Sequence, residues 1–257
     1  MHSNKTVIIT GASAGLGQEL ARLFAKDGWN CGLIARNKLA LEALKQELDT
    51  PHNTILIESC DVSNKATLFK TIHSMIHSFG RIDCVIANAG IGIASPGQEA
   101  NPDTLEKTIL TNLIGAGNTA YAAIPTMIQQ QFGQLVVISS LAGYRGLSEA
   151  GAYCASKAGV NALFESLRLD LKPFNIDVSI IRPGFIESNI TNKNEYYMPQ
   201  LLTTKDGVSR IYKAIQKRKK IHAFPKPLSL IAKSLYFWPC WLYDFLLSNV
   251  KNKKKQV

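Results

Sequence analysis

A single α/β domain on a doubly wound parallel sheet is the fold that this sequence predicts, from three observations. Apolar, β-branched runs alternate with segments of helical period along most of the chain. Those runs are apolar throughout rather than at every second residue, as a strand buried on both faces requires. The first run ends in a glycine-rich turn that opens into a helical pattern. Right-handed crossovers between such strands put helices on both faces of the sheet.

The elements follow in order. "TVIIT" at 6–10 is a short buried strand. In "GQELARLFAKDG" (17–28), Leu20, Leu23 and Phe24 recur at the helical period and Gly28 ends the run. "NCGLIAR" (30–36) reads as a second strand and 39–48 as a second helix. "TILIESCDV" (54–62) is a third strand, after which Ser63 is placed to cap a helix running to Phe79. "IDCVIANAG" (82–90) is a fourth strand, with one long helix predicted over 103–130. "GQLVVISS" (133–140) is a fifth, followed by a helix to Leu171, and "DVSIIRPG" (177–184) is a sixth.

Composition bounds the function. The 257 residues are 46% apolar and 19% charged, enough for one large domain with a core. No linker or repeat splits off a second domain, which leaves a body at 1–221 and a C-terminal extension, apolar and then basic, at 222–257. The five cysteines, at 31, 60, 84, 154 and 240, are odd in number and show no CxxC spacing. That pattern speaks against a disulfide framework or a zinc site and for a reducing, cytoplasmic setting. The N-terminus has no basic, apolar leader. Net charge is +10, but residues 205–257 hold 13 Lys/Arg against 2 Asp/Glu (+11) and residues 1–204 hold 16 against 17 (−1). A nucleic-acid-binding face would spread its basic residues over the body, so no nucleic acid is expected.

The turn "TGASAGLG" carries Gly11, Gly15 and Gly17 between the first strand and the first helix. Glycines there let a pyrophosphate approach the helix N-terminus, which is what a dinucleotide site needs. The second strand ends in Ala35 and Arg36 rather than in the acid that would hold the ribose 2′-hydroxyl of NAD. A guanidinium can grip a phosphate, so NADP is favoured over NAD, with the Ser13 hydroxyl added to the same pocket. Asp61, with Val62 beside it, fits an adenine contact as well as it fits an acid at a helix start. Asn88, Ala89 and Gly90 end the fourth strand with small residues that let the backbone approach a ribose or nicotinamide.

Tyr153 and Lys157 stand at i and i+4 in "GAYCASKAGV" and so share a helix face. Alone, such a pair is most often a half-buried tyrosine beside a surface lysine. With "TGASAGLG", "NAG", "YCASK" and "RPG" in this order and at these separations, the chain resembles the short-chain dehydrogenase/reductase family over about residues 5–190, as a Rossmann-fold oxidoreductase. One departure is Ala87, where many members have a second asparagine. The resemblance implies a catalytic tetrad of Tyr153, Lys157, Ser140 and Asn112, with Ser139 ranked below Ser140. It implies that Leu16 joins the phosphate turn, that Pro183 and Gly184 lie near the nicotinamide, and that Ile186 and Ser188 meet its carboxamide. It implies a homodimer or homotetramer paired through the fourth and fifth helices.

A free phenol titrates near pH 10, and a nearby ammonium lowers that value. Tyr153 can then donate a proton to a ketone oxygen, or take one from an alcohol, as hydride moves to or from the cofactor. Ser140 would hydrogen-bond the substrate oxygen, and Asn112 would hold a water that relays protons through Lys157. The chemistry calls for no metal. The expected activity is NADP(H)-dependent interconversion of a ketone or aldehyde with its alcohol. The rival is a non-catalytic NADP-binding sensor or membrane-docked scaffold, which has no use for Tyr153, Lys157 and Ser140 together.

Residues 185–205 fall where the family places its substrate lid, and Tyr196, Tyr197, Met198, Leu201 and Leu202 suit a hydrophobic substrate. "LSLIAKSLYFWPCWLYDFLL" (228–247), interrupted by Lys233, Pro239 and Asp244, reads as two short amphipathic helices hinged at Pro239. With "KNKKK" (251–255) it fits peripheral contact with a membrane, or a helix pair packed on the substrate mouth or a second subunit.

Overall fold

A computed structural model describes residues 4–188, 190–193 and 197–248, with Lys193 and Ser248 as backbone only. Tyr196 and the lysines of 251–255 lie outside the described residues. Six of the strands fall where the apolar runs are: β1 (Thr6–Thr10), β2 (Asn30–Ala35), β3 (Ile55–Ser59), β4 (Cys84–Ala87), β5 (Gly133–Ile138) and β6 (Ile176–Pro183). A seventh, β7 (Ile221–Phe224), pairs parallel to β6 with Ile180 opposite Ile221 and Pro183 opposite Phe224. The sheet order is β3-β2-β1-β4-β5-β6-β7, with every pairing parallel. The boundary expected at 221/222 therefore cuts through a strand, and the sheet runs on past it.

Two apolar layers flank the sheet. Alternate strand residues sort the core: Val7 and Ile9 face one layer, Ile8 the other. On the first side lie α1 (Gly15–Lys26), α2 (Lys38–Leu48) and α7 (Thr204–Gln216), which contribute Leu20, Phe24, Leu41, Leu44, Ile211 and Ile215. On the other lie α3 (Lys65–Phe79), α5 (Gly115–Gln130) and α6 (Gly151–Asp170), where Ala116, Ala120 and Ala123 keep α5 close to the strands and Phe164 fills the gap beneath α6. The side chains of Phe24 and Phe164 are fully buried, and each is worth about 2 kcal/mol of transfer free energy at least.

Local capping differs from expectation at α3. Asn64, not Ser63, caps it, accepting from Thr67 N at 3.1 Å, because the Ser63 hydroxyl donates to Asp61 at 2.8 Å instead. The single helix expected over 103–130 is two helices, α4 (Pro102–Ile109) and α5, joined by a π-helical turn at Leu110–Ile114. After β7 come α8 (Lys226–Ser234), a 3₁₀ turn (Leu235–Phe237) and α9 (Cys240–Ser248), so two helices flank Pro239.

Candidate active site

The order of the sheet reverses between β1 and β4, whose carboxyl ends open a crevice, the place where an open α/β sheet binds its ligand. A cleft of about 590 Å³ lies there. Its walls include Gly11, Ser13, Gly15, Leu16, Arg36, Asp61, Val62, Asn88, Ala89 and Gly90 at one end. Ser140, Tyr153, Lys157, Pro183, Gly184, Ile186 and Ser188 line the other.

The floor is stitched by a residue that the sequence reading passed over. Thr10, at the end of β1, is buried, and its hydroxyl accepts from the backbone N–H of Asn88 (3.2 Å) and Ala89 (3.3 Å). Asn88 answers with its side chain, donating from Nδ2 to the carbonyls of Thr10 (3.0 Å) and Gly11 (3.2 Å). The turns after β1 and β4 are thus one piece. Gly11 has φ +68°, and a Cβ on it would stand 2.8 Å from Ala89 Cα; a Cβ on Gly17 would run into the Gly11 carbonyl and the Asn88 amide. Gly15 has φ +55° and opens α1 behind Ala14, which offers no side-chain cap. Backbone laid bare by three glycines, at an uncapped helix start, fits a pyrophosphate. A terminal polar residue on an otherwise apolar strand was the signal for Thr10.

At the far end of the cleft, Arg36 follows β2 with its side chain largely exposed. Its guanidinium lies 3.8 Å from Asp61, a loose pair between half-exposed groups that contributes little. Burial alone would raise the Asp61 carboxyl. Hydrogen bonds from Ser63 N (2.9 Å) and Oγ (2.8 Å), with Arg36 and Lys107 nearby, outweigh it and hold the carboxyl below its ordinary range.

The opposite end, where Tyr153 and Lys157 stand, is built on α6 and the two segments that face it. Lys157 is 5% exposed, and its Nζ donates to the Ile138 carbonyl at 2.8 Å and sits 5.7 Å from the centre of the Tyr153 ring. Burial pulls its pKa down from 10.5 to about 8. A Cβ on Gly90 would lie 3.6 Å from Lys157 Nζ, an ordinary contact, and 3.3 Å from Asn112 Oδ1, which would have to give by a few tenths of an ångström. Of the two serines, Ser139 is buried with its hydroxyl towards the Lys157 carbonyl at 3.4 Å, whereas Ser140 is partly exposed and accepts from Ala142 N at 3.1 Å.

Asn112 is buried in the π-helical turn. Its amide accepts from Ile91 N (2.8 Å) and donates to Ile91 O (2.9 Å) and Ser156 Oγ (3.0 Å). These bonds give the side chain an anchoring role, between the strand-end turn and α6, that the expected water relay did not include. A π-helical turn at such a place is common, because the extra residue re-aims the backbone.

The turn after β6 covers the cleft. Thr191 accepts from Ser188 N (2.8 Å) and donates to Ile186 O (2.8 Å), and Ser188 stands across from Gly15. Ile190 abuts Gly92 so closely that a Cβ there would meet its Cγ2 at 2.6 Å. Thr191 and Ile190 were missed, since nothing in their spacing marks them. Of the lid residues named from sequence, Leu202 pairs its backbone with Ile186 and packs on the core, while Met198 and Leu201 border a second hollow beside Ser188.

Comparison with known proteins places this geometry. The family model described as short chain dehydrogenase matches residues 5–197. An uncharacterized oxidoreductase of Myxococcus xanthus is 35% identical over 242 residues, spanning 94% of this chain and 96% of the relative. Dehydrogenase/reductase SDR family member 7B of Bos taurus is 31% identical, spanning 98% of this chain and 83% of the relative. In fold, the chain is similar to levodione reductase, with a TM-score of 0.80 at 22% identity over 90% of this chain and 99% of that one. It is similar also to an alcohol dehydrogenase of Thermococcus sibiricus complexed with 5-hydroxy-NADP, with a TM-score of 0.77 at 24% identity over 86% and 94%. The chain belongs to the short-chain dehydrogenase/reductase family and is an oxidoreductase acting on alcohol or carbonyl groups.

Proposed function

We propose that the chain is an NADP(H)-dependent reductase of ketones or aldehydes, or a dehydrogenase of the matching alcohols, with Tyr153 as acid and base. The observation that carries this reading is the buried Lys157 ammonium, held on the Ile138 carbonyl and set against Tyr153 in a cleft whose other end is the glycine cradle. An ammonium there favours phenolate, so Tyr153 releases its proton to a carbonyl oxygen near neutral pH. Ser140 Oγ donates to the same oxygen and opposes its developing charge. A bound nicotinamide dinucleotide supplies or receives the hydride. Gly11, Gly15, Leu16 and Gly17 would hold its pyrophosphate and Arg36 its 2′-phosphate, with Ser13 alongside. Asp61 and Val62 would meet the adenine, and Pro183, Gly184, Ile186 and Ser188 the carboxamide side. Ile190, packed on Gly92, would form part of the wall around the bound cofactor.

The substrate is a hydrophobic small molecule, to judge from the apolar residues of the lid. A second copy of the chain fits the exposed Leu110, Ile114 and Tyr121, which lie on the π-helical turn and α5. The test is NADPH oxidation, read at the nicotinamide absorbance, against aliphatic, aromatic, steroid and long-chain acyl ketones. Tyr153→Phe should lose turnover about 10²-fold or more and keep NADPH binding. Equal rates in the two proteins would reject Tyr153 as the proton donor.

A further inference from the structure

The C-terminal helix pair leaves an apolar surface uncovered. Leu230 and Ile231 of α8, Tyr236 and Phe237 of the turn, and Trp241 and Phe245 of α9 are all exposed, Phe237 by 77% and Trp241 by 71%. Isolated apolar residues on a surface mean little, but six along one short stretch do not arise from ordinary packing.

This stretch is fastened with those residues outward. Arg145, in the loop between Ser140 and Tyr153, donates to the carbonyls of Leu235 and of Trp238 (2.8 Å). Its guanidinium lies 3.7 Å over the Tyr243 ring, and the Tyr243 hydroxyl donates to the Gly146 carbonyl. On the inner side, Leu228 packs beside Gly184 and Leu141. Arg145, Tyr243 and Leu228 therefore hold the pair to the body, while Leu230, Ile231, Tyr236, Phe237, Trp241 and Phe245 stay exposed.

Charge selects the occupant. From 222 to 257 there are six lysines and one acid, Asp244. Lys226 and Lys233 are exposed on α8, and four more follow α9 in sequence, at 251, 253, 254 and 255. A second copy would bring a second pair of exposed α8 lysines, Lys226 and Lys233, to the same contact. An anionic lipid surface would be attracted, and aromatic side chains beside lysines suit the headgroup boundary. Spanning is ruled out for these helices: each has nine residues, or about 13 Å, against a hydrocarbon core of about 30 Å. Among the described residues no helix is long and apolar enough to cross a membrane.

We infer that α8 and α9 seat the protein on the surface of an anionic bilayer, through Leu230, Ile231, Tyr236, Phe237, Trp241 and Phe245, with the lysines setting the preference for negative headgroups. This goes beyond the reaction proposed above and does not depend on it.

The test is flotation of the full-length protein with phosphatidylcholine vesicles, with and without phosphatidylglycerol. Binding should be at least about tenfold stronger to the anionic vesicles and should weaken with added salt. Trp241→Asp with Leu230→Asp should abolish it at an unchanged thermal midpoint, since both sites are exposed. Replacing Lys251, Lys253, Lys254 and Lys255 by Gln should remove most of the anionic preference without touching the apolar face. No binding by the wild type would overturn the proposal, as would equal binding by the double variant or equal binding to both kinds of vesicle. If light scattering shows that the double variant falls to a smaller assembly while neither protein binds vesicles, the face is a subunit contact.

Discussion

Burial of the Lys157 ammonium sets two pH trends against each other. The folded chain holds that proton with a pKa of about 8, and the unfolded chain near 10.5. Between those values the unfolded state binds more protons, so the contribution of Lys157 to stability rises with pH across the window and is lost as pH falls through about 8. The charge proposed to assist Tyr153 goes the other way. Expressed as kcat/KM, which reports the free enzyme, carbonyl reduction should decline as pH rises through about 8, while the stability gap between wild type and Lys157→Met narrows. A flat rate profile across that value would remove the electrostatic role of Lys157. Arg36 is the other residue with a task of its own. Arg36→Asp should reverse the preference between NADPH and NADH in paired binding titrations, because an acid there repels the 2′-phosphate and accepts from a ribose hydroxyl. An unchanged ratio would show that another group reads the phosphate.

Among the elements, α6 is the one whose position matters most, and a buried arginine holds it. Arg182 of β6 donates from Nη2 to Glu165 (2.8 Å), from Nε to Asn161 (3.1 Å) and from Nη1 to the Tyr144 hydroxyl (3.2 Å). The helix bearing Tyr153 and Lys157 is thereby tied to the sheet and to the loop after Ser140. Arg182 is 9% exposed in its side chain and Glu165 42%, so the two ends of the pair are not equivalent. Arg182→Met strands three buried or half-buried partners and should cost about 3 kcal/mol in chemical denaturation; Glu165→Gln should cost about 1 kcal/mol or less. Equal costs would mean that the network is not centred on the arginine. The elements also show what could be read from sequence. Strands β1, β2, β4, β5 and β6 are buried on both faces, and a run such as "TVIIT" has no other use. β7 escaped because it lies at the edge, where "IHAF" is exposed or half-exposed in three of four residues and carries little apolar signal. α7 was legible in principle: Val208, Ile211 and Ile215 keep the helical period behind Thr203, which accepts from Asp206 N at 3.1 Å. The π-helical turn was not, since "LTNLI" fits an α-helix equally well and the extra residue is needed only once Asn112 must reach Ile91 and Ser156.

For the molecule as a whole, two cores on one sheet make a rigid frame, and the cleft sits where β1 and β4 part. Most of the site residues named from sequence line that cleft, because Gly11, Ser13, Arg36, Asp61, Asn88 and Ser140 each follow the carboxyl end of a strand, a consequence of parallel topology that order along the chain already carries; Tyr153 and Lys157 reach it from α6, and Gly17 and Asn112 stand behind its lining. Pairing of whole molecules leaves no such trace. Leu110, Ile114 and Tyr121 are 37%, 44% and 46% exposed on one side of the body, away from the C-terminal helices in sequence. Ile114→Glu with Tyr121→Glu should convert a dimer or tetramer to monomer in light scattering; an unchanged mass would move the subunit contact elsewhere.

Arg145 gives the molecule one more property. The same guanidinium that fixes α8 and α9 belongs to the loop that carries Ser140 at one end and reaches Tyr153 at the other. Whatever holds the helices more firmly holds that loop more firmly too, and coupling of this kind runs equally in both directions. The consequence can be measured: if NADPH in the cleft orders this loop, it should tighten vesicle binding by the same factor by which vesicles tighten NADPH binding, and equal affinities with and without the other partner would show the two sites to be independent.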